Sequence, residues 1–259
     1  MGRHRLLTRA VAHALGDAVA VSHVSAAVAH GIATWGVRLD RVHVTRLDGG
    51  AGRLEKDVVH HVGDCRTGEV REQDGLLLTA PTRAALETAI MATPESGLVH
   101  LDSLLHLGLD DADGLCAQFE RMNRWPGTRH LHVPVRMADG GAQSPGESRG
   151  RWLFRIGGLP CPETQFRVHD TTGRLVGITD WGWPDHGLLG EFDGRVKYGR
   201  DLWAAHAPEA TGDVVFAEKQ REDALREATG FAVVRLVWSD LDRPRLTVER
   251  VRRRLRGAA

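Results

Sequence analysis

In the first half of the chain, short stretches with the hydrophobic period of a helix alternate with short stretches that have the period of a strand. Apolar residues recur at helical spacing in several stretches, which predict helices from Arg5 to Leu15, Ser22 to His30, Pro81 to about Met91, about Gly97 to Leu107 and Ala112 to Asn123. Alternating apolar and polar residues predict strands from Arg41 to Thr45, Asp57 to Val62 and Gly75 to Thr79. The first half is therefore expected to form an α+β region.

The second half has a different order of elements. A polar, glycine-containing stretch from Met137 to Arg149 is the best domain boundary, and it predicts two domains, residues 1–136 and 144–259. The elements predicted after it are a helix from Pro145 to Ile156, strands from Thr164 to His169, Leu175 to Trp181 and Leu188 to Phe192, a helix from Val214 to Thr229 and a strand from Phe231 to Trp238. A right-handed crossover lets the last strand join the sheet beside the preceding hairpin. This order predicts an α/β fold with a mixed sheet flanked by helices.

The composition excludes several classes of protein. At 259 residues the chain is long enough for one large or two ordinary domains, and its formal net charge of zero gives no overall bias toward nucleic acid or anionic membranes. Its three cysteines are far apart and outside any CxxC spacing, which argues against a disulfide framework or a structural zinc site and favours a reducing cytoplasm. No apolar run is long enough to cross a membrane.

Positive charge is concentrated at the C-terminal end. From Arg243 onward the chain carries seven arginines against one glutamate. Val248, Val251 and Leu255 recur at helical spacing there, so the sequence predicts an amphipathic helix that docks by its apolar face. The arginines of such a helix either contact phosphates or are merely solvated, and both interpretations stay open.

The clearest chemical signal surrounds the hairpin predicted in the second half. The hairpin brings Asp180 close to Glu191, and side-chain alternation puts Glu191 and Asp193 on one face about 7 Å apart. Three converging carboxylates repel one another unless a cation lies between them, and hard oxygen ligands suit Mg²⁺ or Mn²⁺. A nearby lysine, Lys197 or Lys219, would complete a site for phosphodiester cleavage. In the alternative interpretation Asp193 belongs to a turn and Glu191 is an ordinary surface charge.

Several segments together resemble those of a known group of proteins. They are Ser22-His23-Val24-Ser25-Ala26-Ala27, Val42-His43-Val44-Thr45, Asp74-Gly75 with Thr79-Ala80-Pro81-Thr82-Arg83, Ser144-Pro145-Gly146-Glu147-Ser148-Arg149, Gly158-Leu159-Pro160 to Gln165, Glu191-Phe192-Asp193-Gly194-Arg195-Val196-Lys197-Tyr198, Glu218-Lys219-Gln220-Arg221-Glu222-Asp223 and Trp238-Ser239-Asp240-Leu241. With them, the chain resembles the restriction-endonuclease-like superfamily with the PD-(D/E)xK signature. More closely, it resembles small actinobacterial proteins in which a very-short-patch-repair-like nuclease domain follows an AbiEi-type antitoxin region.

The resemblance implies roles for individual residues of the second domain. It places the superfamily's strand aspartate at Asp180, its second acidic residue at Glu191 and its first-helix glutamate at Glu147, although the helix dipole alone would also explain a glutamate in a first turn. The position of the signature's lysine is occupied here by Asp193. Gln165 lies on the strand that faces the hairpin and is expected to form hydrogen bonds near these carboxylates.

The departure at Asp193 leaves two functions open. In the first, the lysine is supplied by Lys197 or Lys219, and the protein is a Mg²⁺- or Mn²⁺-dependent DNA endonuclease whose metal ligands are Asp180, Glu191 and Asp193. In the second, the protein is a non-catalytic DNA-binding protein or the antitoxin of an AbiEi-type toxin–antitoxin system. The partners expected are DNA, a toxin or a second copy of the chain, and no membrane. The winged helix with which many relatives begin is not expected in residues 1–136, which weakens a repressor-like function.

Overall fold

The structure, a computed structural model, describes residues 1–66, 68–194, 220 and 223–257. These residues form two compact units, Met1–Pro145 and Gly146–Ala259. The α/β class expected from the sequence is confirmed, because the chain combines helices with two mixed β-sheets. Within the described ranges, no helix combines the length and the apolar composition that spanning a membrane requires. The three cysteines are free thiols.

The first unit contains a six-stranded sheet with helices packed against it. Its helices are α1 Gly2–Leu15, α2 His23–Ala29, α3 Pro81–Ile90, α4 Pro94–His106, α5 Ala112–Met122 and α6 His132–Met137. Its strands are β1 Val19–Val21, β2 Val42–Arg46, β3 Arg53–Leu54, β4 Val58–His61, β5 Val70–Gln73 and β6 Leu76–Thr79, in the spatial order β3-β4-β2-β1-β6-β5. Strand β1 is central, antiparallel to β2 and parallel to β6.

Local sequence explains where several of these elements begin. Helix α4 starts at Pro94, not near Gly97 as the apolar pattern predicted, because the Thr93 side chain caps it by accepting a hydrogen bond from the Ser96 N–H. Strands β1 and β5 were not predicted. They are only three and four residues long, and β5 is mostly exposed, so neither carries a clear apolar period. The turn between β5 and β6 is Asp74-Gly75, where both residues have positive φ, as the tightest hairpins require.

The second unit follows the order of elements that the sequence predicts. It consists of α7 Pro145–Ile156, β7 Glu163–His169, β8 Leu175–Trp183, β9 Leu188–Asp193, a helix α8 over residues 223–229, β10 Ala232–Val237, a short helix α9 Trp238–Leu241 and α10 Pro244–Gly257. The sheet order is β10-β9-β8-β7. The last strand, β10, lies parallel to β9 and beside the hairpin, as expected.

Apolar side chains cover both faces of this second sheet. One face packs against α7 and α10 in a cluster built from Leu153, Phe154, Trp181, Trp183, Leu188, Val234, Leu236, Leu241, Val248, Val251 and Leu255. The opposite face packs Leu189 and Val168 against Leu225 of α8. Because side chains alternate along each strand, residues next to Trp181 and Val234 in sequence point toward this opposite face. Glu191 and Arg235, described below, occupy such alternate positions.

Candidate active site in the second unit

The β8–β9 hairpin positions the two acidic residues that the sequence singled out. Trp181 pairs with Gly190 across the two strands, and the turn between them is a short 3₁₀ segment, Pro184–His186. One residue beyond that pair, the Asp180 carboxylate lies against β9 through the N–H of Phe192, the residue that follows Glu191. The hairpin therefore brings Asp180 to the segment of β9 that carries Glu191.

The same level of the sheet carries a polar residue on each of its four strands. On β7, Gln165 lies between the pairs Thr164–Trp181 and Phe166–Thr179, which places it opposite Asp180. On β10, Arg235 pairs in register with Glu191. Adjacent strands are about 4.8 Å apart, so Gln165, Asp180, Glu191 and Arg235 form a row about 14 Å long. We call these four residues the transverse row.

Asp180 is fixed by the backbone of the neighbouring strand. Its Oδ2 atom accepts a hydrogen bond of 2.6 Å from the Phe192 N–H. A carboxylate that accepts a backbone N–H is held in one orientation, and such charge-assisted bonds are among the stronger ones in proteins. Asp180 is therefore preorganised by β9 itself.

Glu147, in the first turn of α7, contacts one member of the transverse row, Gln165. Its side chain is nearly buried, and its Oε2 atom accepts a hydrogen bond of 3.3 Å from Gln165 Nε2. Two glycines allow this approach, since a Cβ atom at Gly146 would collide with the Phe192 ring and one at Gly150 with the Trp181 ring. The start of α7 can lie close to the hairpin only because these two positions lack side chains.

The backbone of Gln165 is unusual for a residue inside a strand. Its φ is +49°, in the left-handed region that residues with a side chain rarely adopt, and the neighbouring strand residues do not share this conformation. Such a conformation costs about 1–2 kcal/mol. The residue that carries this strain is also the one whose carboxamide reaches Glu147. Strain of this kind concentrates at functional sites, where the surrounding structure holds it in place.

Glu191 is paired with a cation that the sequence analysis did not propose. Arg235 Nη2 donates to Glu191 Oε2 at 3.1 Å, and the Glu191 side chain is only 13% exposed. A sequence signal for Arg235 existed, because it is the single charged residue in the apolar run Ala232–Val237. The apolar pattern of that run predicts only a strand.

The remaining predicted residues divide into two groups. Asp193 lies at the end of β9, paired in register with Val237, two positions beyond Glu191 on the same face. It was predicted as a metal ligand, but it is not part of the transverse row. Lys197 and Lys219 lie outside the described residues.

The carboxylates do not form a preassembled cage. Among the described residues, no group of three or more His, Cys, Asp or Glu side chains is arranged to hold a metal ion. Mg²⁺, however, is usually bound through one or two carboxylates and keeps several waters for substrate phosphates. Asp180 and Glu191, side by side on adjacent strands, fit this looser form of binding. No observation among the described residues supports a site in which Asp193 is a third metal ligand.

A second polar cluster lies in the first unit, and the sequence did not predict it. The His23 and His61 rings stack with centroids 3.6 Å apart, and His43 Nδ1 lies 2.9 Å from His61 Nε2. Glu87 accepts hydrogen bonds from the His23 N–H, at 3.1 Å, and from Arg83 Nε, at 2.8 Å. His23 also has a positive φ of 51°.

Burial and mutual repulsion keep the three rings neutral. Burial, and then the charge of His43, lower the pKa of His23 to about 3. Burial and the neighbouring His61 lower the pKa of His43 to about 4, and burial and His23 lower the pKa of His61 to about 4. At neutral pH the three rings therefore carry no charge.

Comparisons with known proteins give relatives without an assigned function. No protein-family model and no solved structure matches the chain. Two uncharacterized proteins of Mycobacterium tuberculosis, from strains CDC 1551 / Oshkosh and H37Rv, are each 29% identical to it over 172 residues. The match covers 65% of this chain and 58% of each relative, so the chain spans little more than half the length of these relatives.

Proposed function

We propose that the unit Gly146–Ala259 is a metal-dependent phosphodiesterase that cleaves DNA. The observation that carries the proposal is the transverse row, in which two acidic residues on adjacent strands are flanked by an amide and a guanidinium. Phosphodiester cleavage needs an activated water and compensation of the charge that develops on the phosphate. A row of oxygen ligands with an adjacent cation supplies groups for both tasks.

Asp180 and Glu191 would hold the divalent ion, Mg²⁺ or Mn²⁺. When bound, such an ion lowers the pKa of a water and neutralises phosphate charge. The protein's own contribution is orientation. The Phe192 N–H fixes Asp180, and Gln165 orients the nearly buried Glu147, which in this proposal helps to position a water. In this proposal Asp193 is an auxiliary group, and Lys197 or Lys219 supplies further positive charge.

Cleavage of labelled DNA by the wild type and by Asp180→Asn tests the proposal. Single- and double-stranded substrates are incubated with Mg²⁺, Mn²⁺ or EDTA. We expect product only with metal, and we expect Asp180→Asn to slow its formation by at least about 100-fold, because a neutral amide is a poor ligand for Mg²⁺. The amide oxygen can still accept from the Phe192 N–H, so the fold should persist, which circular dichroism checks.

The hairpin offers a matched control. Asp185 lies exposed in the 3₁₀ turn of the same hairpin, away from the transverse row, so Asp185→Asn should cleave like the wild type. Equal cleavage by Asp180→Asn and wild type would rule out the assigned site. DNA that shifts in EDTA without any product in metal would favour the non-catalytic DNA-binding or antitoxin function.

A further inference from the structure

Arg235 lies in the middle of strand β10, where most residues are apolar and pack against neighbouring side chains. Its neighbours Val234 and Leu236 are buried in the cluster beneath α10, so the Arg235 side chain leaves the sheet on the opposite face, with Glu191. The guanidinium reaches Glu191 and is still 32% exposed, whereas Glu191 is 13% exposed. The pair therefore lies at the boundary between the sheet and solvent, with the arginine on the outer side.

Stability alone does not account for an arginine at this position. Partly exposed ion pairs contribute little to folding, and apolar replacements of buried pairs are often neutral or stabilising. A valine would continue the pattern of Val233 and Val237 on the same face. The feature that distinguishes Arg235 is its chemistry, since its planar guanidinium matches the oxygens of a carboxylate or a phosphate in a two-point contact.

We propose that Arg235 is the phosphate-binding residue of the site. Its guanidinium donates to Glu191 here, and with Glu191 held by a divalent ion it would be available to contact an oxygen of the scissile phosphate. This inference rests on the proposed nuclease function and adds the group that contacts the anionic substrate. It also gives a cation to a site in which Asp193 stands at the lysine position of the PD-(D/E)xK signature.

If Arg235 contacts either Glu191 or the phosphate, two binding affinities should depend on it, and both can be measured without cleavage. If Arg235 competes with the metal for Glu191, removing its charge should strengthen metal binding. If it also holds the phosphate, the same change should weaken DNA binding when metal is present. A residue that only supports the fold, or that only holds Glu191 in place for the metal, would not shift the two affinities in opposite directions.

The experiment measures both affinities for the full chain and its variants. Mn²⁺ binding is followed by electron paramagnetic resonance without DNA, and binding of a 20-base-pair duplex is followed by fluorescence anisotropy with Ca²⁺ as the metal. For Arg235→Gln we expect Mn²⁺ to bind about tenfold more tightly and the duplex to bind at least about fivefold more weakly. Arg174→Gln is the matched control, because Arg174 forms an exposed pair with Asp170 in the same unit, and it should change neither affinity.

Arg235→Lys separates charge from shape. It keeps a positive charge beside Glu191, so Mn²⁺ affinity should stay near that of the wild type, but a point charge lacks the two-point contact, so the duplex should still bind more weakly. This variant also replaces Arg235→Gln in the test if the neutral variant fails to fold. An Arg235→Gln protein with both affinities unchanged, or with both weakened, would overturn the inference. A wild type whose Mn²⁺ binding is no stronger than that of Asp180→Asn would overturn the proposed function as well.

Discussion

Gln165 shows how much of this site is decided by a single backbone angle. Sequence reasoning selected Gln165 as a hydrogen-bonding residue near the carboxylates, and its contact with Glu147 Oε2 agrees with that selection. Its φ of +49° could not be predicted, because glutamine has no preference for the left-handed region.

This angle leads to a prediction about stability. Gln165→Gly and Gln165→Ala both lose the hydrogen bond to Glu147, but only glycine relieves the backbone strain of about 1–2 kcal/mol, so we expect the free energy of unfolding to be about 1 kcal/mol higher for Gln165→Gly than for Gln165→Ala. Both variants lose the amide that orients Glu147, so cleavage should slow in both. Urea unfolding and the cleavage assay measure the two effects.

The same strand supplies a control for the glycine substitution. Arg167 is exposed on β7 and its φ is not positive, so the free energy of unfolding should be about 1 kcal/mol lower for Arg167→Gly than for Arg167→Ala. If Gln165→Gly were likewise less stable than Gln165→Ala, the φ of Gln165 would carry no strain in solution.

At the scale of elements, the sequence predicted those parts whose signal is local. The β8–β9 hairpin and helix α7 follow from turn residues, a proline start and strict alternation, and the positions of Asp180 and Glu191 depend only on that hairpin. Arg235 was missed because its approach to Glu191 depends on a parallel pairing across a long crossover. A register between distant strands has no signature in either strand alone.

Helix α10 illustrates a local prediction that left its function open. The predicted apolar stripe is confirmed, with Val248, Val251 and Leu255 buried. Because that face already packs in the core, the helix cannot also insert its apolar side into a membrane surface. Arg245, Arg253 and Arg256 are exposed, and at 1.5 Å per residue they extend over about 16 Å, which corresponds to several phosphates of a DNA strand.

We therefore expect α10 to contribute to DNA binding through phosphate contacts. Changing Arg245, Arg253 and Arg256 together to glutamine should weaken binding of a duplex and lower the slope of log affinity against log salt by about 2–3, since each phosphate contact contributes about 0.9. Anisotropy titrations at several salt concentrations measure the slope.

The first unit provides a control with the same number of charges. Arg3, Arg124 and Arg129 are exposed arginines of Met1–Pro145, and replacing all three by glutamine changes the net charge equally. An equal loss of slope in both triple variants would mean that net charge, not α10, sets the affinity. An unchanged slope in the α10 variant would mean that its arginines are only solvated.

At the scale of the whole molecule, the first unit is distinguished by a cluster of buried histidines. The histidine cluster lies entirely in Met1–Pro145, where His23, His43 and His61 come from α2, β2 and β4. The sequence showed these histidines only as scattered residues, because the contact among them is made by the sheet and not by spacing along the chain. The cluster gives this unit a pH dependence of its own.

The sign of this dependence follows from the lowered pKa values. In the unfolded chain each histidine has a pKa near 6.5. In the folded protein the pKa is about 4 for His43 and His61 and about 3 for His23. Between those values the unfolded state binds more protons, so the free energy of unfolding falls as the pH decreases. We expect the first unit to lose at least about 2 kcal/mol between pH 7 and pH 5, with the loss levelling off below about pH 4.

Hydrogen exchange of the full chain measures this loss within the first unit itself. Protection of the β2 and α2 amides, corrected for the intrinsic effect of pH, should fall over this range. His61→Gln removes one titrating ring from the stack and should make the fall shallower, whereas His13→Gln changes an exposed histidine of α1 and should leave it unchanged. If His61→Gln kept the full pH dependence, the histidine stack would not be its source, and the titrating groups would have to lie elsewhere in the unit.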